Sequence, residues 1–338
     1  MPKMPAMEAV VRILESEGVE YIFGVPGGAI NPFYKALSKS EKIRSFTFRS
    51  ELGATNAADG YARASGKVGV MACIGGPGGA VAVAGIYSAF TDSSPLVCIN
   101  GDIPSALRGE EGTVSINLNE LCEPIAKKTY WVKDANQLPG IFREAFRIAR
   151  EGRPGPVVIE IPVDVQREEI VYEPDLDAPL EVQVPKPNMK KIERAIDMLL
   201  DAENPLIILG GGVIKADACG ELVELAEYLA IPVITTIMGK GGIRPDHPLY
   251  AGQAGTRLSV PPGNEVFLES DVVLAVGVRF GDRHTGDKAV YRGKRKFIHV
   301  DIEPTQIGRT IPADLGIVSD AKLALQAMLE VAKKKTRK

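Results

Sequence analysis

Short apolar runs alternate with longer segments of mixed apolar and polar residues along most of this chain. Apolar runs bounded by glycine, proline or polar residues predict buried strands, whereas the mixed segments predict helices with one apolar face. Strands are expected at 21–23, 46–48, 68–74, 96–100, 156–162, 205–209, 232–235, 272–276 and 296–300. Helices are expected at 5–17, from 31, at 54–63, through 84 and 87, at 136–151 and at 189–201. This alternation predicts an α/β fold with mainly parallel sheets.

The pattern changes between residues 171 and 189, where prolines and acidic residues replace the apolar runs. Such a composition is typical of an extended linker. We therefore predict two α/β domains, one over residues 1–170 and one over residues 190–335, joined by a linker over 171–189.

Composition and charge narrow the class of protein. The chain has 338 residues, 45% hydrophobic and 25% charged, which is enough for two domains with buried cores. The net charge is −3, with no excess of basic residues for binding nucleic acid, so we expect no nucleic-acid partner. No apolar run has transmembrane length and no secretory signal is present, so we expect no membrane association. Four scattered cysteines fit a reducing, cytoplasmic compartment, and with three histidines no metal site is expected in this chain.

Glu51 stands between the predicted strand 46–48 and the predicted helix 54–63. Carboxylates at such junctions lie at the open end of a parallel sheet, where α/β proteins place their chemistry. The structural alternative is that Ser50 caps the helix and Glu51 complements the helix dipole. Taken alone, Glu51 favours the structural interpretation.

Three glycine-rich turns follow predicted strands, at 24–28, 75–79 and 210–212. Glycine lets backbone N–H groups approach a flat ring or a phosphate, and the next helix adds its positive end. A tight turn explains any single one of them. None has the spacing of a dinucleotide fingerprint or of a Walker motif, which disfavours an NAD dehydrogenase.

The second half carries small or polar residues after four successive predicted strands and in a loop at 252–255. This arrangement favours one long nucleotide lying across the sheet edge, with Arg279 and Arg283 against a pyrophosphate and Asp301 against a ribose. The predicted nucleotide-binding residues in this half are Gly210, Gly211, Gly212, Thr236, Ile237, Met238, Gly252, Gly255, Gly277, Val278, Arg279, Arg283, Asp301 and Ile302.

Several segments together resemble thiamine-diphosphate (ThDP) enzymes of the acetolactate synthase group. The matching segments are Phe23–Ile30, Arg49–Ala54, Asp59–Arg63, Asp92–Pro95 and Gly152–Pro156. The second half is most similar to glyoxylate carboligase (tartronate-semialdehyde synthase), through Gly210–Ala218, Arg283–Gly286, His299–Arg309 and Leu315–Lys322.

The resemblance implies a pyrimidine-binding (Pyr) domain followed by a Rossmann-like central domain that binds FAD. It places Glu51 on the glutamate that hydrogen-bonds a pyrimidine nitrogen of ThDP and thereby activates the cofactor. The implied ThDP-binding residues are Val25, Pro26, Gly27, Gly28 and Gly76. Arg153 and the second-half residues above fall on the implied FAD site. The implied reaction is decarboxylation of a small 2-oxo acid and ligation to a second carbonyl.

This sequence also departs from the family pattern. Glyoxylate carboligases carry an apolar residue where this chain has Glu51, so the first half is more similar to acetolactate synthase. Where the family has Thr or Ser before Gly-Pro-Gly, this chain has Ile74-Gly75, and where the family has Asn a few residues later, this chain has Val81. The family's Phe-Gln pair is replaced by Thr113-Val114, and its Gln after Gly101 is replaced by Asp102. Pyruvate, glyoxylate and other 2-oxo acids all remain open as substrates.

The family binds the diphosphate and Mg²⁺ through a third domain with a Gly-Asp-Gly motif, and that motif does not occur in this sequence. We therefore expect a subunit of a split ThDP-dependent carboligase or decarboxylase, completed by a separate chain that carries the diphosphate–Mg²⁺ domain. A homo- or hetero-oligomer is expected, since family members pair Pyr and diphosphate domains between neighbours. The alternatives are a non-catalytic FAD- or nucleotide-binding protein and a truncated piece of a full-length enzyme.

Overall fold

The computed structural model describes residues 3–110, 116–173, 177–255 and 261–336. The chain forms two compact units that divide between Gln183 and Val184.

The first unit is built on a six-stranded sheet of order β3-β2-β4-β5-β7-β6, in which all neighbouring strands are parallel. Separately, β1 and β8 form a short antiparallel pair. The elements in chain order are β1 (Lys3–Pro5), α1 (Ala6–Ser16), β2 (Tyr21–Gly24), α2 (Asn31–Leu37), β3 (Arg44–Thr47), α3 (Glu51–Ser65), β4 (Gly69–Ile74), α4 (Gly76–Asp92), β5 (Leu96–Asp102), α5 (Leu118–Cys122), β6 (Lys128–Trp131), α6 (Leu138–Arg150), β7 (Pro156–Pro162) and β8 (Glu169–Val171).

Both faces of this sheet are covered by helices. Alternate residues of a strand point to opposite faces, so Val70 and Ala72 join the core under α1, α2 and α6, while Met71 and Cys73 join the core under α3, α4 and α5. The sheet is therefore doubly wound, and its central strands β4, β5 and β7 are mostly apolar because neither face meets water, whereas the edge strands β3 and β6 are exposed or half-exposed.

The second unit repeats this architecture with a parallel sheet of order β11-β10-β9-β12-β13-β14. Apolar clusters fill both faces of the sheet. Its elements are α7 (Met189–Leu200), β9 (Pro205–Leu209), α8 (Gly211–Lys215), α9 (Cys219–Leu229), β10 (Val233–Thr235), β11 (Tyr250–Gln253), α10 (Pro261–Glu269), β12 (Val272–Val276), α11 (Asp282–Thr285), α12 (Lys288–Arg292), β13 (Lys296–Asp301), β14 (Leu315–Val318) and α13 (Ala321–Lys335).

The predicted fold class, α/β with two doubly wound, mainly parallel sheets, is confirmed. One prediction was wrong in detail: Gly252, expected in a loop, lies in the edge strand β11. Strands β1, β6, β8, β11 and β14 were not predicted. The described residues between β8 and α7 form neither helix nor strand. In the part of the chain that the structure describes, no helix is both long and apolar enough to span a membrane.

Candidate functional site

Glu51 opens α3, and its side chain is half-buried at the carboxyl edge of the first sheet. Ser50 is the N-cap residue and is extended, but its side chain makes no capping hydrogen bond within the described chain. A Cβ atom at Gly78, in the first turn of α4, would lie 2.9 Å from Glu51 Oε1. The carboxylate therefore faces the glycine turn that follows β4, not the backbone of its own helix.

The turn after β2 contacts Ile74, a residue that also lies beside Gly78. A Cβ atom at Gly27 would lie 2.5 Å from Ile74 Cγ2, and one at Gly78 would lie 3.0 Å from Ile74 Cγ1. Gly76 has φ +56°, a conformation that glycine adopts without strain. We call Glu51, Gly27, Ile74 and Gly78 the Glu51 site. It consists of the Glu51 carboxylate beside the apolar side chain of Ile74, bordered by two glycine-rich turns.

The other predicted residues of this edge are placed differently. Val25 N–H donates a 3.1 Å hydrogen bond to the carbonyl of Ala72, which ties the turn to β4. Pro26 and Gly28 are exposed, and Gly28 borders a cleft of about 700 Å³ whose other walls include α1 and α2. The structure thus brings Gly27 to Ile74, which faces Gly78 together with Glu51 Oε1, whereas Gly28 faces a neighbouring cleft.

Cys73, at the end of β4, lies behind the Glu51 site. Burial, together with the nearby Glu51 carboxylate, raises the pKa of the Cys73 thiol. The protonated thiol lies 3.1 Å from Asn100 Oδ1, to which it donates a hydrogen bond. Cys73 therefore stays neutral at physiological pH and serves as a donor, not as a nucleophile.

A row of polar residues that sequence analysis missed continues from Cys73 across the sheet. Cys73, Asn100, Glu160 and Trp131 are register partners on the adjacent strands β4, β5, β7 and β6. Glu160 is fully buried, and burial together with neighbouring Asp102 raises its pKa to about 8. The sequence signal was available, because Glu160 interrupts the buried apolar run 156–162.

In the second unit, two predicted glycines are explained by internal packing. A Cβ atom at Gly210 would lie 2.1 Å from the carbonyl oxygen of Gly277, and one at Gly212 would lie 2.7 Å from Gly277 Cα. Gly277 itself has φ +61°. The turn after β9 and the turn after β12 therefore touch backbone to backbone, and Gly211 packs against Met238.

Exposed groups lie at the carboxyl ends of β10 and β12. Ile237 and Met238 expose 52% and 39% of their surface, and Arg279 and Arg283 are exposed as well. Apolar surface and guanidinium groups at the carboxyl edge of one sheet suit a ligand that combines a flat ring with phosphates.

The remaining predicted residues of this unit have internal partners or are buried. Thr236 Oγ1 accepts a hydrogen bond from Gly239 N–H, and Asp301 Oδ1 accepts one from Glu303 N–H. Gly255 exchanges backbone hydrogen bonds with the side chain of Asn264. Val278 is buried and Ile302 is half-buried.

Arg153, predicted for the FAD site, belongs to the first unit. Its Nε donates to Ser93 Oγ at 2.8 Å, and its Nη2 donates to the carbonyls of Phe90 and Thr91 at 3.2 and 3.3 Å. These contacts cap the C-terminus of α4, where a cation also complements the helix dipole. Its role toward FAD stays a prediction.

The described residues contain no group of three or more His, Cys, Asp or Glu side chains placed to hold a metal ion. Two residues at positions where the family pattern differs, Thr113 and Val114, lie outside the described residues. Val81, at another such position, is exposed on α4.

Comparison with known proteins agrees with this geometry. The model for the N-terminal TPP binding domain of thiamine pyrophosphate enzymes matches residues 4–121, and the model for their central domain matches residues 192–328. Glyoxylate carboligase of Escherichia coli O157:H7 is 45% identical over 333 residues, which are 98% of this chain and 56% of that protein.

Two acetolactate synthases are similar over the same span. The probable large subunit of Methanocaldococcus jannaschii is 43% identical, over 96% of this chain and 56% of that protein. The large subunit of Corynebacterium glutamicum is 39% identical, over 98% of this chain and 53% of that protein. The chain thus spans a little over half the length of these relatives. It belongs to the thiamine pyrophosphate enzyme family, of which it carries the N-terminal and central domains.

Proposed function

We propose that this chain is the part of a ThDP-dependent 2-oxo-acid carboligase or decarboxylase, of the acetolactate synthase or glyoxylate carboligase type, that holds and activates the pyrimidine of ThDP. The observation that carries the proposal is the position of Glu51 Oε1 against Gly78. A carboxylate that served only the start of α3 would not need the glycine turn that follows β4 beside it.

The residues of the Glu51 site fit the cofactor. A side chain at Gly78 would meet both Glu51 Oε1 and Ile74, so glycine there keeps open the space beside the carboxylate. Ile74 supplies an apolar wall for a flat ring. The residues proposed to hold ThDP are Val25, Pro26, Gly27, Gly28 and Gly76, with Glu51 as the activating residue.

When bound, ThDP supplies the carbanion-stabilising chemistry that decarboxylation of a 2-oxo acid requires. Glu51 contributes a charge-assisted hydrogen bond to a ring nitrogen and holds a proton there. The apolar contact with Ile74 strengthens this bond because it keeps water from competing for the carboxylate.

We further propose that the diphosphate and Mg²⁺ are held by residues other than those of this sequence, in a separate chain of a homo- or hetero-oligomer or in further sequence of the same polypeptide. A hard cation beside phosphates needs oxygen ligands, and the family's Gly-Asp-Gly motif does not occur in this sequence. The coverage of a little over half of each relative supports a site completed by further sequence.

The proposal is tested on the native assembly. The protein is purified from its source with its partners, and CO₂ release from pyruvate and from glyoxylate is measured with added ThDP and Mg²⁺. We expect turnover only in fractions that contain a Gly-Asp-Gly motif, on a separate chain or on the same polypeptide. Turnover by a protein of residues 1–338 alone would overturn the divided site, and no turnover by any assembly would overturn the enzyme assignment.

A second role, FAD binding by the second unit, is favoured by two groups of exposed residues at the same edge of the sheet, Ile237 and Met238 after β10 and Arg279 and Arg283 after β12. In this role the apolar pair would contact the flavin or adenine ring and the arginines the pyrophosphate. A visible absorption spectrum tests it. Protein that shows no flavin bands and takes up no added FAD would remove this role, and would also remove the non-catalytic flavoprotein alternative.

A further inference from the structure

The glycine turn that borders Glu51 has a second carboxyl cluster on its other side. A Cβ atom at Gly75 would lie 3.5 Å from Glu160 Oε1 and 3.8 Å from Asp102 Oδ1, so both carboxyls face the same point. Glu160 is fully buried and Asp102 is 5% exposed. The turn 75–79 therefore lies between Glu51 and a buried pair of acids.

The two acids are unequally provided with hydrogen-bond donors. Asp102 accepts from Ile103 N–H at 2.8 Å and from Trp131 Nε1–H at 3.3 Å. Neither oxygen of Glu160 has a hydrogen-bond partner among the described residues. Donors stabilise the ionised form, so the negative charge belongs on Asp102 and the proton on Glu160.

Among the described cations, Arg108 acts on both carboxyls and favours their ionised forms. Its guanidinium stacks on the ring of Trp131 at 4.0 Å and donates to Asn117 Oδ1 at 3.0 Å, and Lys133 Nζ lies 5.5 Å from the centre of the same ring. One adjacent cation compensates one carboxylate, and a second unpaired charge is costly to bury. The geometry therefore supports one negative charge on Asp102 and one proton on Glu160.

The other titratable groups beside Asp102 and Glu160 also favour one negative charge and one proton on this pair. On α5, burial and Glu160 raise the pKa of Cys122, so its thiol is neutral. Asp164, beyond β7, adds a negative charge near Asp102 and so disfavours further ionisation of the pair. Burial and Asp102 raise the pKa of Glu160 to about 8, while Arg108 acts in the opposite direction.

We propose that Asp102 and Glu160 form a one-proton carboxyl pair that positions the turn 75–79, and with it the Glu51 site. We assign both acids a positioning role, because Glu160 is fully buried and Asp102 is almost fully buried. The effect on the Glu51 site rests on the proposed function, whereas the proton on Glu160 does not. Loss of the proton would place two buried negative charges beside Gly75 and displace the turn.

The raised pKa of Glu160 determines whether stability rises or falls with pH. Glu160 takes up its proton at a pKa of about 8 in the folded chain, against an ordinary value of 4.5. Between these values the folded state binds more protons than the unfolded state, so stability falls as pH rises through this window. The Glu160→Gln variant has no such proton, and its unfolding midpoint is expected to vary less with pH there.

The proton on Glu160 is tested by infrared spectroscopy of the full chain at about pH 7. The difference spectrum between wild type and Glu160→Gln should contain the band of a protonated carboxylic acid, which disappears as pH rises past about 8. In Asp102→Asn the like charge is absent, so the band should disappear at lower pH. No band in the difference spectrum, or a band that Asp102→Asn leaves at the wild-type midpoint, would overturn the pair.

The positioning role is tested in the complete assembly through the ThDP concentration for half-maximal turnover. Between about pH 7 and about pH 9 this concentration should rise at least tenfold more in wild type than in Glu160→Gln. Equal rises would overturn the positioning role. If no assembly uses ThDP at any pH, the proposed function fails, while the infrared result still decides the proton pair.

Discussion

The two units contain the same local pattern, a buried strand followed by a glycine turn and a helix, yet the glycines serve different purposes. In the first unit, a Cβ at Gly78 would lie 2.9 Å from Glu51 Oε1, and one at Gly75 would lie 3.5 Å from Glu160 Oε1 and 3.2 Å from the carbonyl oxygen of Gly101. In the second unit, a Cβ at Gly210 or Gly212 would meet the backbone of Gly277. One turn keeps open the surroundings of acidic groups, whereas the other lets two segments of main chain touch.

The difference shows what a glycine-rich turn indicates and what it does not. Backbone contacts such as those of Gly210 are requirements of folding and would be needed without any ligand. The carboxyls around the turn 75–79 satisfy no comparable need of the fold, since Glu160 lacks hydrogen-bond partners among the described residues. Substitutions at the two turns should therefore separate stability from cofactor binding.

The largest expected effect on stability is that of Gly210→Ala. Its φ of −97° is ordinary, so the cost comes from the contact with the Gly277 carbonyl, which a Cβ would approach to 2.1 Å. We expect the free energy of unfolding to fall by about 3 kcal/mol, measured by denaturant titration. Gly220→Ala, on exposed α9 with nothing within 4 Å, is the matched control and should be neutral or slightly stabilising. Equal results for the two variants would contradict the packing account.

Gly78→Ala should show the reverse profile. Alanine suits the helical position, and its Cβ would meet the side chains of Glu51 and Ile74, which can shift, instead of main chain. The free energy of unfolding should therefore fall by only about 1 kcal/mol, less than in Gly210→Ala. The new methyl group would crowd Glu51 Oε1. The ThDP concentration for half-maximal turnover of the complete assembly should therefore rise about tenfold. Gly140→Ala, exposed on α6 with no neighbour within 4 Å, should leave that concentration unchanged. An unchanged value for Gly78→Ala would mean that the space beside Glu51 is not used.

A smaller effect is expected for Arg279→Ala on FAD. Loss of one charge-assisted contact should weaken FAD binding by up to about tenfold, measured by flavin fluorescence titration, without unfolding the second unit. Arg244→Ala removes the same charge from an exposed arginine that pairs with Asp246, and it is the control. If both variants weaken FAD equally, the effect is one of net charge and not of this site.

Much of the fold could be predicted because fully buried strands leave uninterrupted apolar runs. Strands β7, β9 and β12 have the predicted bounds for this reason. The edge strands β6, β11 and β14 carry half-exposed or polar residues and so lack such a run. The antiparallel pair of β1 with β8 joins segments at opposite ends of the first unit, and three-residue strands leave no periodicity to read.

The site could be predicted in part. Glu51 and the glycine turns were identified from their places after strands, but the contact of Gly78 with Glu51 depends on tertiary packing. Asp102 was noted only as a departure from the family pattern. Its pairing with Glu160 needs the order of β5 and β7, which are separated by more than fifty residues of sequence and become neighbours only in the folded sheet.

The most direct test of the central claim, that Glu51 activates ThDP, is the turnover of a 2-oxo acid by the complete assembly with Glu51→Gln. The amide keeps the size of the side chain but cannot hold the proton, so we expect turnover to fall at least about 100-fold at saturating ThDP. Glu20→Gln, which removes an exposed carboxylate paired with Lys67, should keep wild-type turnover. Wild-type turnover by Glu51→Gln would contradict the account.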